Sequence, residues 1–106
     1  MLDESQFRRV AEAALDALMQ HLIVREEDEA GFEVDEQNGV LKIAFEEPAD
    51  TFVITPNAPV RQIWISALST SFKLDWDSAA SAFVLPRTGE PLMALVDRLI
   101  QQHLEG

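Results

Sequence analysis

Two groups of residues in this chain could carry chemistry. The first is acidic: Glu26, Glu27, Asp28, Glu29, Glu33, Asp35 and Glu36 put seven carboxylates into eleven residues. Hard cations take several oxygen ligands from such groups, so these positions are candidate metal ligands. The block lacks the fixed Asp and Gly spacing of a calcium loop, and a run of like charges also serves as a plain solvated face. A weak, multi-ion surface site is the metal chemistry it supports. The second group centres on one indole, Trp64, flanked by Gln62 and Ser66. Ile63, Ile65 and Ala67 take the inward parity of a strand there, so Trp64 turns toward water. A large indole on that side is a candidate protein-binding anchor, because Trp is enriched in interface hot spots. Cross-strand packing on Lys42 or Val53 is the alternative.

Other chemistries find little support. His21 and His103 have no histidine partner at metal-ligand spacing and read as exposed helix-end residues. No Ser/His/Asp motif is present, and four well-separated glycines make no phosphate loop. The absence of cysteine excludes disulfides, thiolate zinc sites, a cysteine nucleophile and a Cys-ligated cluster held by the chain itself. A net charge of −11 repels phosphate backbones and attracts cations or basic protein surfaces, so nucleic acid is not expected as a partner. Fourteen of the nineteen acids lie in residues 1–53, which concentrates that field in one half. No apolar run approaches the ~18 residues of a membrane span. Met1 to Val10 resembles neither a signal peptide nor a transit peptide. No membrane association and a cytoplasmic location are the expectations.

The elements that must position these residues follow from periodicity. Phe7, Val10, Ala11, Ala14, Leu15, Leu18 and Leu22 fall on one stripe of a helix from Asp3 to about Val24, with Asp3 and Gln6 as a reciprocal cap. Residues 25–30, a charge block without apolar period, are expected to fray into loop. From Gly31 the period becomes two. Phe32 and Val34 lead through the turn dipeptide Asn38-Gly39 to Leu41, Ile43 and Phe45. A turn at Glu46–Asp50 precedes Phe52 and Ile54, and Thr55-Pro56-Asn57-Ala58-Pro59 breaks the pattern again. Arg61–Ala67 is a fourth strand. Phe72, Leu74 and Trp76, then Phe83 and Leu85 across Ser78–Ser81, make a fifth and sixth. Leu92, Leu95, Val96, Leu99 and Ile100 after Pro91 form a second helix, closed by Gly106. With 106 residues there is room for one domain, residues 1–106. Its expected fold class is α+β: a two-layer α/β sandwich in which an antiparallel sheet of about six strands carries both helices on one face.

Those residues together resemble the frataxin family, in particular its bacterial CyaY-type members, over nearly the whole chain. The most specific stretch is Pro59-Val60-Arg61-Gln62-Ile63-Trp64-Ile65-Ser66, similar to the family's Pro-x-x-Gln-Ile-Trp-Leu-Ser strand. Asn38-Gly39-Val40-Leu41-Lys42-Ile43 and Leu74-Asp75-Trp76 are similar to two further family strands. Arg87–Leu92 resembles the start of its second helix, with Thr88 at the usual Asp. Ser69-Thr70-Ser71 stands where the family has a Gly-rich turn, and Phe83 where a Trp is common.

The resemblance implies an iron-binding protein of iron–sulfur cluster assembly, an iron donor or regulator that docks on a cysteine desulfurase and its scaffold protein. It implies weak ferrous or ferric iron on an acidic ridge, a monomer with iron-dependent oligomers as a further state, and no enzyme activity beyond the ferroxidation of oligomeric relatives. Gln62 and Trp64 match the family's partner-binding face, with Arg61 beside them. The ridge is displaced. Met19, Gln20, Ile23 and Val24 stand where members present acids on the first helix, so the implied iron ligands are Glu26, Glu27, Asp28, Glu29, Glu33 and Asp35. A different class of function, an acidic α/β adaptor or secretion-chaperone-like protein that binds a client on its sheet face without metal, is the alternative.

Overall fold

A reciprocal cap starts the first helix: the Gln6 amide donates to Asp3 Oδ1 at 2.7 Å, and the Asp3 amide donates to Gln6 Oε1 at 3.1 Å. The computed structural model describes residues 2–28, 31–46 and 49–105. Glu29 of the acidic block, Glu47 and Pro48 of the third turn, and Gly106 lie outside the described residues. Helix α1 runs Glu4–Asp28 and buries Phe7, Ala11, Leu15, Leu18 and Leu22, the stripe expected from their spacing.

The charge block does not fray where it was expected to; residues 25–28 are helical. Arg25 Nη1 donates to Asp97 Oδ1 at 2.8 Å, and its guanidinium lies 6.0 Å from the Phe32 ring centroid. These long-range contacts hold the last turn, and no apolar period reveals them. His21 Nε2 lies 2.9 Å from the same carboxylate. A carboxylate only accepts, so the proton sits on that nitrogen. His21 is therefore a half-buried link between the helices, not an exposed helix-end residue.

Gly31 leaves the helix at φ +119°, a conformation open to glycine, and the chain enters a meander. Its strands are β1 Phe32–Gln37, β2 Val40–Glu46, β3 Ala49–Asn57, β4 Gln62–Ala67, β5 Thr70–Asp77 and β6 Ala82–Val84. They pair antiparallel in sequence order. Asn38 and Gly39, both at positive φ, make the tight turn between β1 and β2.

Several boundaries differ from the sequence reading: Glu46 belongs to β2, Ala49 and Asp50 belong to β3 and not to the expected turn, and β6 ends at Val84, before Leu85. Strand β3 continues through Pro56 to Asn57 instead of breaking at Thr55. The β2–β3 register ends at Leu41 opposite Ile54, so Pro56 pairs only with Ile63 and occupies an edge-like position that tolerates a missing N–H. Arg61, at φ 54°, closes the short 3-10 turn Ala58–Val60, so β4 begins one residue later. The β4–β5 turn is Leu68–Ser69, earlier than Ser69–Ser71; both residues adopt positive φ without glycine, and Leu68 packs against the core.

Helix α2, Leu92–Glu105, starts where the Pro91 carbonyl accepts the Leu95 amide at 2.9 Å. Arg98 grips Glu90 through Nε at 2.6 Å and Nη2 at 3.0 Å, which holds the Glu90 carboxyl below the usual carboxylate range. Both helices cover one sheet face. Leu41, Ile43, Phe45, Phe52, Ile54, Ile63, Ile65, Leu74 and Phe83 point into the core beneath them. His103 joins that core, correcting its reading as an exposed helix-end residue. It is 7% exposed, with its ring 4.2 Å from Phe45 and 5.7 Å from Phe52, and its Nδ1 lies 4.0 Å from Asp50 Oδ2. No helix among the described residues is long and apolar enough to cross a membrane.

Candidate functional site

Strand alternation sends Glu33, Asp35, Lys42, Thr51, Val53, Gln62, Trp64, Ser66, Lys73 and Asp75 to the sheet face that the helices leave open. Trp64 stands there between two neighbours fixed by register, Thr55 on β3 and Lys73 on β5. The Lys73 ammonium lies 4.9 Å from the indole centroid, a cation–π contact. The Trp64 Nε1–H donates to Gln62 Oε1 at 2.9 Å, and Gln62 Nε2 donates to Asp75 Oδ1 at 2.8 Å. Asp75 opposes Gln62 across the strands, so the Asp75–Gln62–Trp64 chain follows from register.

These contacts lock the indole, with its edge bonded and one face under a cation. The order is set before any partner arrives, which reduces the entropy lost on docking. The alternative from sequence is cross-strand packing on Lys42 or Val53; the cross-strand contact observed on the ring is that of Lys73.

Arg61 plays a different part from its neighbours. Its guanidinium folds back, Nη1 donating to the Ala58 carbonyl, and its buried Nε has no hydrogen-bond partner among the described residues. The side chain braces the turn from which the Gln62–Trp64 strand emerges.

The acids are not gathered in one place. Glu33 and Asp35 are exposed on β1 of the open face, with Asp35 opposite Lys42. Strand β1 is three strands from β4, so these acids stand roughly 14 Å from the Trp64 strand at about 4.8 Å per strand. Glu26, Glu27 and Asp28 occupy the last turn of α1, with Glu27 and Asp28 exposed. No three of the described His, Asp or Glu residues converge as a metal centre. The donor type suits a hard cation, and the spacing suits loose, exchanging occupancy.

With Phe72, Leu74 and Trp76 as the apolar positions of the fifth strand, parity leaves Lys73 and Asp75 on the open face, but no sequence signal joins them to Trp64. Their roles depend on register across the Leu68–Ser69 turn, which carries no Asn-Gly signature.

A family model described as the frataxin-like domain matches residues 1–106. The iron-sulfur cluster assembly protein CyaY of Pseudomonas aeruginosa is 29% identical over 99 residues, covering 92% of this chain and 86% of that protein. The mitochondrial frataxin of Arabidopsis thaliana is 30% identical over 113 residues, covering 100% of this chain and 56% of that protein. A solved structure of the frataxin from Psychromonas ingrahamii superimposes with a TM-score of 0.76 at 20% identity, covering 98% of this chain and 93% of that one, and shares the fold. The six-stranded meander under two terminal helices and the match along its full length agree: the chain belongs to the frataxin-like family.

Proposed function

We propose that this chain works in iron–sulfur cluster assembly, carrying loosely held iron and docking on a cysteine desulfurase and its scaffold protein. The observation that supports docking is the Trp64 platform, an indole locked by Gln62 and Lys73 on the open sheet face. Aromatic anchors of this kind dominate binding energy when a partner desolvates them. The acids of β1 share that face three strands away, so a partner seated on the indole would need a basic surface that extends across the sheet to meet them. Iron is cargo in this reading. Carboxylates of Glu26, Glu27, Asp28, Glu33 and Asp35 offer hard oxygen donors; Glu29 belongs to the same proposed set by sequence. Their separation favours rapid exchange over retention.

A reconstituted reaction of desulfurase, scaffold, ferrous iron and cysteine tests the function. Adding the chain is expected to change the rate of cluster formation on the scaffold; an unchanged rate at saturating chain would sink the assignment. Iron placement has its own measurement. Ferrous iron is expected to broaden the amide resonances of residues 26–28 and 33–36, and the combined Glu26→Lys, Glu27→Lys, Asp28→Lys variant should lose the helix-end broadening. Broadening that survives there would move the iron elsewhere.

A further inference from the structure

One patch on the surface of this acidic chain carries no charge. Between α1 and the start of α2 lies a groove of about 420 Å³. Leu18, Phe83 and Leu92 floor it, and Trp76, Pro91 and Met93 stand on the side away from α1. Not one of the residues lining it is charged, although 25% of the chain is Asp, Glu, Lys or Arg. Nearby charges are engaged elsewhere, Glu90 with Arg98 and Asp97 with His21 and Arg25.

The α1 wall of the groove continues the same character along the helix. Gln6, Val10, Ala13, Ala14, Ala17 and Gln20 fall within a sector about 120° wide, at about 100° of turn per residue. Arg8, Arg9, Glu12 and Asp16 of the same turns all lie outside it. A helix face turned away from the core normally carries charged or polar residues. Here four of the six are Val or Ala, with Ala13 and Ala17 exposed.

Two charges at the edge of this sector find no partner. Arg9 and Asp16 lie about 20° apart around the helix, but seven residues separate them by about 10 Å along its axis. Neither has an ion pair among the described residues. We infer that the uncharged face is the interface of a homodimer, in which two α1 helices pack antiparallel about a two-fold axis near Ala13 and Ala14. Such an axis brings Arg9 of each copy beside Asp16 of the other, so one arrangement satisfies both charges twice. The alanines at its centre let the helix axes approach closely, and Val10 and Met93 of each copy cover the groove of the other.

Charge selects this occupant. A basic partner finds no carboxylate in the groove, and an anionic membrane is repelled by a net charge of −11. Two copies also repel each other as wholes, yet exposed charges more than about 8–10 Å apart are largely screened at physiological salt. The acid at the edge of this face, Asp16, meets an arginine. The patch is small, so the dimer is weak, with a dissociation constant of about 0.1 mM. It needs no iron and leaves Trp64 free, so its failure and the failure of the function proposed above are separate results.

Sedimentation equilibrium of the full chain in a metal chelator is the test. The mass is expected to rise from 11.9 kDa toward twice that value as the concentration passes about 0.1 mM. Ala13→Glu is expected to weaken association at least about tenfold by burying two carboxylates at the centre of the interface. Asp16→Lys supplies the decisive arm. It lowers the net negative charge, so general repulsion predicts tighter association, whereas the two-fold arrangement sets an ammonium against Arg9 and predicts association at least about threefold weaker. Adding Arg9→Glu returns the net charge to −11 and is expected to recover the native affinity. All three positions are exposed, and a thermal melt of each variant checks the fold. A mass that stays at 11.9 kDa up to about 1 mM, tighter association of Asp16→Lys, a double variant no better than Asp16→Lys, or association that appears only with iron would each overturn the inference.

Discussion

Trp64→Ala is expected to weaken the proposed complex with a cysteine desulfurase by roughly 30-fold or more, about 2 kcal/mol, while leaving the domain folded. The size of the effect follows from what the indole does on the open face. Its edge bond to Gln62 and the Lys73 ammonium at 4.9 Å leave little freedom to be lost on docking, so its apolar area acts almost wholly in favour of binding. Truncation also releases Gln62 and Lys73, which then reach the interface without fixed direction. Trp64→Phe keeps a ring and loses the Nε1–H donor, so it should fall between native and alanine. Calorimetric titration against purified desulfurase, with a thermal melt of each variant, separates anchor from scaffold. Unchanged affinity with alanine would remove the anchor role even if cluster assembly itself still responded to the chain.

The largest effect on stability is expected at Phe52. This ring is 1% exposed, 4.6 Å from Phe45 and 5.7 Å from His103, beneath the last turns of α2. Phe52→Ala removes aromatic contacts on both sides and leaves a cavity that a sheet interior cannot easily close, costing about 3–5 kcal/mol. A small domain has about 5–15 kcal/mol in total, so the variant should sit near its unfolding threshold. Urea denaturation of Phe52→Ala beside Thr51→Ala provides the comparison. Thr51 is the next residue on the same strand, exposed on the opposite face, and should change stability by no more than about 0.5 kcal/mol. A loss at Phe52 below about 1 kcal/mol would show that the ring is not packed as described.

The fold was legible because its signals are short-range. The capping pair Asp3 and Gln6, the Asn38-Gly39 turn and the alternation of Phe32, Val34, Leu41, Ile43 and Phe45 each lie within a few residues. Trp64 was legible for the same reason, since parity alone separates it from Ile63 and Ile65. What was not legible depends on distant partners. Arg25 reads as part of a solvated charge run until Asp97, 72 residues away, is brought beside it. His103 reads as a helix-end residue until Phe45 and Phe52 close over it. The contact between Lys73 and Trp64 required a register set by Leu68 and Ser69, neither of which is a residue that favours positive φ. A turn centred on Thr70 would have put Trp76 opposite Trp64 instead.

The sheet also separates its two tryptophans. Trp64 lies on the open face under Lys73, whereas Trp76 points to the helix side, 5.2 Å from the Phe83 ring and packed against the core. With no tyrosine in the chain, these two indoles account for its near-ultraviolet emission. One fluorophore therefore reports on the open sheet face and the other on the packed interior. Silencing either by phenylalanine turns the protein into a single-channel optical sensor, of partner arrival in one case and of folding in the other.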